Sequence, residues 1–127
     1  GKIEEIYCSY DPDTKSGGSG AQRKVKGTIH WVSAEKAVTA EIRLYDRLFL
    51  DEDPGGHKEA DFKQFLNPDS LKVITNAKLE PSVANFNIGD KMQFQRLGYF
   101  CVDLDSSNEK MIINRTVPLR DGWAKKR

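Results

Sequence analysis

Apolar and polar residues alternate along much of the chain, and the alternation predicts strands. Val25, Gly27, Ile29 and Trp31 alternate with Lys24, Lys26, Thr28 and His30. Val38, Ala40, Ile42 and Leu44 alternate with Thr39, Glu41, Arg43 and Tyr45, and Leu71, Val73 and Thr75 alternate more weakly with Lys72, Ile74 and Asn76. Successive strand side chains point to opposite faces, so each run has an apolar and a polar face, and Trp31 falls on an apolar one. Residues 3–10, 92–104 and 111–119 complete the set. Turn chemistry separates the runs: the Gly-Ser stretch 15–20, the acidic 51–56, Asn67-Pro68-Asp69, Gly89-Asp90 and residues 105–108. Phe62, Phe65 and Leu66 share a helical face, which predicts a short helix over 59–66, and residues 81–86 can form another turn. Many short strands between turn signals predict an all-β fold, a small antiparallel barrel or sandwich with one or two short helices. Closing the sheet would remove its exposed edges. No internal repeat is visible.

Composition narrows the class. A chain of 127 residues fits one domain, and 38% hydrophobic content is too much for a disordered tail. The net charge is only +1, from 20 basic and 19 acidic residues, so any anion-binding face must come from segregated charge. Cys8 and Cys101 form no CxxC pair and read as buried thiols in a reducing compartment. No apolar run is long enough to span a membrane and no signal peptide is visible, so the expected location is the cytoplasm. Alternation begins almost at Gly1, which reads as an excised fragment.

Catalytic and metal chemistry find no anchor. His30 and His57 with Cys8 and Cys101 could supply four ligands, but the close ligand pairs of a zinc site are missing. There is no GxSxG elbow, no GxxxxGK[ST] phosphate loop and no GxGxxG. Asn114-Arg115-Thr116 fits the glycosylation pattern, a match common by chance.

The basic residues are more informative. Arg23, Lys24 and Lys26 open one run, Arg43 and Arg47 follow in the next, and Arg115, Arg120 and Lys125-Lys126-Arg127 come late. Between them lies Gln93-Phe94-Gln95-Arg96. Gln and Arg carry donors that reach base edges, and aromatic rings stack on unpaired bases. By itself this pattern reads more readily as ordinary solvated strand faces, because basic strand faces are common and the net charge is unremarkable. Gln93 and Arg96 have opposite parity, so both can meet one ligand only if the strand bends, and Gly98 is placed to allow that.

Several long stretches are similar to the C-terminal region of glutaminyl-tRNA synthetases: KVKGTIHWVS at 24–33, EIRLYDRLF at 41–49, FQRLGYFCVD at 94–103 and NRTVPLRDGW at 114–123. LNPDSL at 66–71 and Glu80-Pro81-Ser82 fit in order between them. The resemblance implies a non-catalytic anticodon-binding fragment over 1–127, holding a distal β-barrel and part of a proximal one. The expected barrel is similar to that of the ribosomal protein that binds 5S RNA. The parent enzyme would join glutamine to tRNA(Gln) using ATP, on a Rossmann-type catalytic domain whose motifs are not in this chain. Implied partners are the tRNA(Gln) anticodon loop and the parent catalytic domain, with no membrane, no cofactor in the fragment and a monomeric state. By the same resemblance Gln93 and Arg96 contact the middle anticodon base, a uridine. Gly122 stands where bacterial relatives often have a Thr that touches the loop, and by the same resemblance the backbone there or Arg120 could substitute for it. The related glutamyl-tRNA synthetases share this region and give the alternative reading, beside a mainly structural module.

Overall fold

A computed structural model describes residues 2–27 and 29–119. The chain divides into two compact units, Gly1–Trp31 and Val32–Arg127.

In the first unit the described residues form no strand. A single 3₁₀ turn, Pro12–Thr14, is capped by Asp11, whose carboxylate accepts from the Asp13 N–H and faces Arg23 at 3.5 Å. The strands expected at 3–10 and 24–31 are therefore corrected: none of the described residues of either segment is in a strand. Trp31 is 77% exposed, and Ile3, Tyr7 and Ile29 are more than two-thirds exposed as well. Alternation gives a segment an apolar face, but a strand also needs a neighbour to satisfy its N–H and C=O groups. Among the described residues these segments have none. Cys8, expected to be buried, is exposed.

The second unit is the all-β body: β1 (Val38–Tyr45), β2 (Leu71–Leu79), β3 (Lys91–Phe94), β4 (Gly98–Val102) and β5 (Met111–Val117). They form one sheet in the order β2-β1-β5-β4-β3. Three neighbour pairs are antiparallel, but β1 and β5 run parallel, with Ile42 opposite Ile113. The all-β expectation stands. Its antiparallel closed form is corrected to a mixed sheet that is open among the described residues, with β2 and β3 at its edges.

That strand order dictates the rest of the fold. β2 and β3 are consecutive in sequence yet lie at opposite edges, so the chain between them must cross the sheet. The crossing segment carries the 3₁₀ turn Pro81–Asn85, and its Val83 is buried in the core with Ala40, Ile42, Phe100 and Ile113. Phe86, Met92, Phe94 and Leu44 pack around this cluster, where Phe94 and Phe100 lie with ring centroids 4.7 Å apart. The sheet thus has a core face covered by the crossing segment and a second, more polar face.

The helix expected over 59–66 is a shorter 3₁₀ turn, Phe62–Phe65, capped by the Asp61 side chain accepting from the Lys63 N–H at 3.0 Å. Asn67, buried at the following turn, donates to the Arg47 carbonyl at 2.9 Å and accepts from the Asp69 N–H. These bonds explain why an Asn-Pro-Asp turn stands there: the amide ties the turn to the chain leaving β1.

Candidate nucleic-acid interface

β3 and β4 form a hairpin in which Met92 pairs with Phe100 and Gln93 with Tyr99. Met92 and Phe94 pack against the core, so the intervening Gln93 points to the other face and is exposed. The expected single strand over 92–104 is broken after Phe94. The Leu97 N–H donates to the Phe94 carbonyl at 3.0 Å, closing a β-turn whose third residue, Arg96, has φ +68°. A positive φ at that position is the type II pattern, which favours Gly or Asn. An Arg held there is uncommon, and such conformations gather at functional sites.

This geometry answers the parity question. Arg96 stands on the turn beyond the end of β3, where strand alternation no longer governs direction. Gly98 follows with φ +139°, and a Cβ there would lie 2.5 Å from the Val117 carbonyl oxygen. One residue later the β4–β5 register shifts between Tyr99 and Phe100, a bulge. The bend expected at Gly98 is thus a turn, a glycine at a close backbone approach and a bulge in succession. Arg115 reaches the same place, its Cδ 3.4 Å from the position of a Gly98 Cβ. Tyr99 was not among the residues selected from sequence. A hairpin folded about 95–97 puts it across from Gln93, and that pairing was the available signal. Arg120 and Gly122 lie outside the described residues.

Arg43, grouped above with the basic candidates, has a different occupation. Its Nε donates to Glu41 Oε1 at 2.9 Å, and one terminal nitrogen faces Asp105 at 3.3 Å and Asp103 at 3.6 Å. Lys110 Nζ holds the other Glu41 oxygen at 2.8 Å, and the Asn114 amide donates to Asp103. The hydrogen bond from Lys110, then that from Arg43, holds the Glu41 carboxyl below its ordinary range. The Asp105 backbone N–H, then the Asn114 amide, does the same for Asp103. The Glu41 hydrogen bond in turn raises Arg43. These groups tie β1 to the loop between β4 and β5, and Asn114 brings in β5. Arg43 is thus matched by carboxylates in a network whose Lys110 and Asp105 stay largely exposed, rather than standing on a purely basic face.

The metal candidates are also placed. His57 faces Asp51 at 3.2 Å and stacks on Phe65, with centroids 4.5 Å apart, and the Cys101 thiol donates to the Gly89 carbonyl. Among the described residues no three His, Cys, Asp or Glu side chains are grouped to hold a metal ion, and no helix is long and apolar enough to cross a membrane.

Residues 28–103 match the family described as tRNA synthetases class I (E and Q), anti-codon binding domain. Curated relatives named glutamine–tRNA ligase match along nearly the whole chain. The one from Rhodopirellula baltica is 52% identical over 126 residues, covering 98% of this chain and 21% of the relative. The one from Nitrosomonas europaea is 54% identical over 127 residues, and the one from Vibrio parahaemolyticus 52% over 126. The chain spans about one fifth of the length of these relatives.

Proposed function

The chain belongs to the anticodon-binding domain family of the class I tRNA synthetases for glutamate and glutamine, and from that premise we propose that it binds the anticodon loop of tRNA(Gln) as a non-catalytic part of a glutamine–tRNA ligase. The observation that carries the reading is the family match over 28–103 together with identities of about half over 98% of the chain. Relatives named for glutamine favour that amino acid over glutamate.

In this reading 1–127 is one anticodon-binding region, with the sheet of β1–β5 as its distal part and residues 2–31 as a contribution to a proximal part. Gln93 and Arg96 contact the middle anticodon base, with Arg120 as a third contact. A Gln amide offers a donor and an acceptor to a base edge, and an Arg fork offers several donors to base oxygens or phosphate. The strained turn at Arg96 supports the assignment, because it fixes the side chain's origin before RNA arrives. ATP and glutamine would react outside this chain, whose sequence carries no GxxxxGK[ST] phosphate loop. The whole enzyme would act in the cytoplasm as a monomer, with its catalytic domain as the other partner of this region.

The deciding experiment is aminoacylation by the full-length protein of tRNA(Gln) with its middle anticodon base changed, comparing wild type with Arg96→Ala. Strong discrimination by wild type and weakened discrimination by the variant is the expected result. Equal discrimination by both would show that base reading lies elsewhere and that this region is mainly scaffold.

A further inference from the structure

A tyrosine on the solvent face of a strand needs no special explanation, because aromatic residues suit strands. Tyr99 stands in a more particular place. It is 48% exposed and directly opposite Gln93 in the β3–β4 ladder, with Val117, 53% exposed, opposite it on the other side. Opposed residues of an antiparallel pair have Cβ atoms about 4.5–5.5 Å apart, so the ring and the Gln93 amide project side by side. Three backbone irregularities enclose it: the left-handed Arg96, the positive φ of Gly98 and the bulge after Tyr99 itself. The Thr116 hydroxyl donates to the Tyr99 carbonyl at 3.0 Å and secures the backbone at that bulge. Bulges re-aim side chains, and this one begins at Tyr99 itself.

We propose that Tyr99 is a stacking platform for an unpaired base of the RNA loop, placed so that a base lying on the ring turns its edge toward the Gln93 amide. The inference rests on the reading that this hairpin faces RNA, and it adds a residue with a different chemistry. Gln93 and Arg96 offer hydrogen bonds and charge, whereas a ring offers a surface that any base can cover. Because stacking neutralises no phosphate, its loss lowers affinity without changing the salt dependence of binding.

The test titrates tRNA(Gln) against the full-length protein at several salt concentrations, for wild type, Tyr99→Phe, Tyr99→Leu and Arg96→Ala. A stacking platform predicts that Tyr99→Leu weakens binding about tenfold or more with an unchanged salt slope, while Tyr99→Phe stays near wild type. Wild-type binding by Tyr99→Leu alongside a weakened Arg96→Ala overturns the platform and leaves the hairpin's RNA role standing. Wild-type binding by both overturns the two together. Equal losses in Tyr99→Phe and Tyr99→Leu assign the effect to the hydroxyl and also overturn the platform. Should Tyr99→Leu fail to fold, a stem-loop RNA with a fluorescent purine analogue at the middle anticodon position decides the matter on wild-type and Tyr99→Phe protein. Quenching on binding to both supports stacking, and unquenched binding overturns it.

Discussion

Gly98 and Val117 approach so closely that a Cβ on residue 98 would lie 2.5 Å from the Val117 carbonyl oxygen. The contact involves backbone on one side and φ +139° on the other, so neither a rotamer change nor a small shift relieves it. Gly98→Ala is therefore expected to destabilise the fold by on the order of 1–3 kcal/mol, through strain and displacement of β4 from β5. Chemical denaturation of the full-length protein and its variant measures this. Unchanged stability would mean that the hairpin base is more adjustable than the approach implies.

Arg96 offers a sign test of the turn. At an ordinary exposed loop position, alanine is more stabilising than glycine, because it restricts the unfolded chain. At φ +68° the order reverses. Both Arg96→Gly and Arg96→Ala remove the guanidinium, so both should weaken tRNA binding to the same degree. The glycine variant should nevertheless be more stable, by on the order of 1 kcal/mol. Finding alanine the more stable of the two would show that the turn is not held in the left-handed region in solution.

The core makes a plainer prediction. Ile113 is fully buried, opposite Ile42 of β1 and Val102 of β4, where the parallel and antiparallel halves of the sheet meet. Ile113→Ala should cost about 2–5 kcal/mol, from lost burial and the cavity left behind. Trp31→Ala makes the useful contrast: with the ring 77% exposed, the change should alter the stability of the isolated 127-residue chain by less than about 1 kcal/mol. Parallel denaturation of the two variants checks the pair, and a large loss at Trp31 would show that it does find a core.

The contrast between Ile113 and Trp31 shows how far the sequence could be read. Both stand on apolar faces of alternating runs, and alternation alone treats them alike. It located β1, β2 and β5, and merged β3 and β4 into the one run 92–104, because there the pattern coincides with real neighbours. It misassigned 3–10 and 24–31 because pairing is a non-local property that one segment's pattern does not contain. The same limit hid the parallel β1–β5 pair, which depends on β2 and β3 lying at opposite edges. Within the candidate site, the Gln93–Arg96 parity conflict was visible in sequence and marked the place where the strand ends. Arg43 was misread as a solvated cation although Glu41, on the same face two residues back, was legible as a partner; what the sequence hid was the loop that brings Asp103 and Asp105 to it from 60 and more residues away.

That network around Arg43 carries the pH dependence. Glu41 is lowered first by the Lys110 hydrogen bond and then by Arg43, and Asp103 first by the Asp105 backbone N–H and then by Asn114. A carboxyl whose folded pKa lies below its unfolded value contributes stability that is fully present above the unfolded value. That contribution is lost as pH falls through the folded one. The unfolded values are close to the ordinary 4.5 for Glu41 and 3.8 for Asp103, so the loss begins as pH drops past about these points and continues below them. Lys110→Met removes the largest cause of the Glu41 depression. Its stability deficit against wild type should be greatest at neutral pH and should shrink as acid protonates Glu41, with a shallower acid slope overall. Urea midpoints of both proteins, taken from neutral pH down through the carboxyl range, measure the difference. A deficit that stays constant across that range would mean that Lys110 does not act by holding the charge of Glu41.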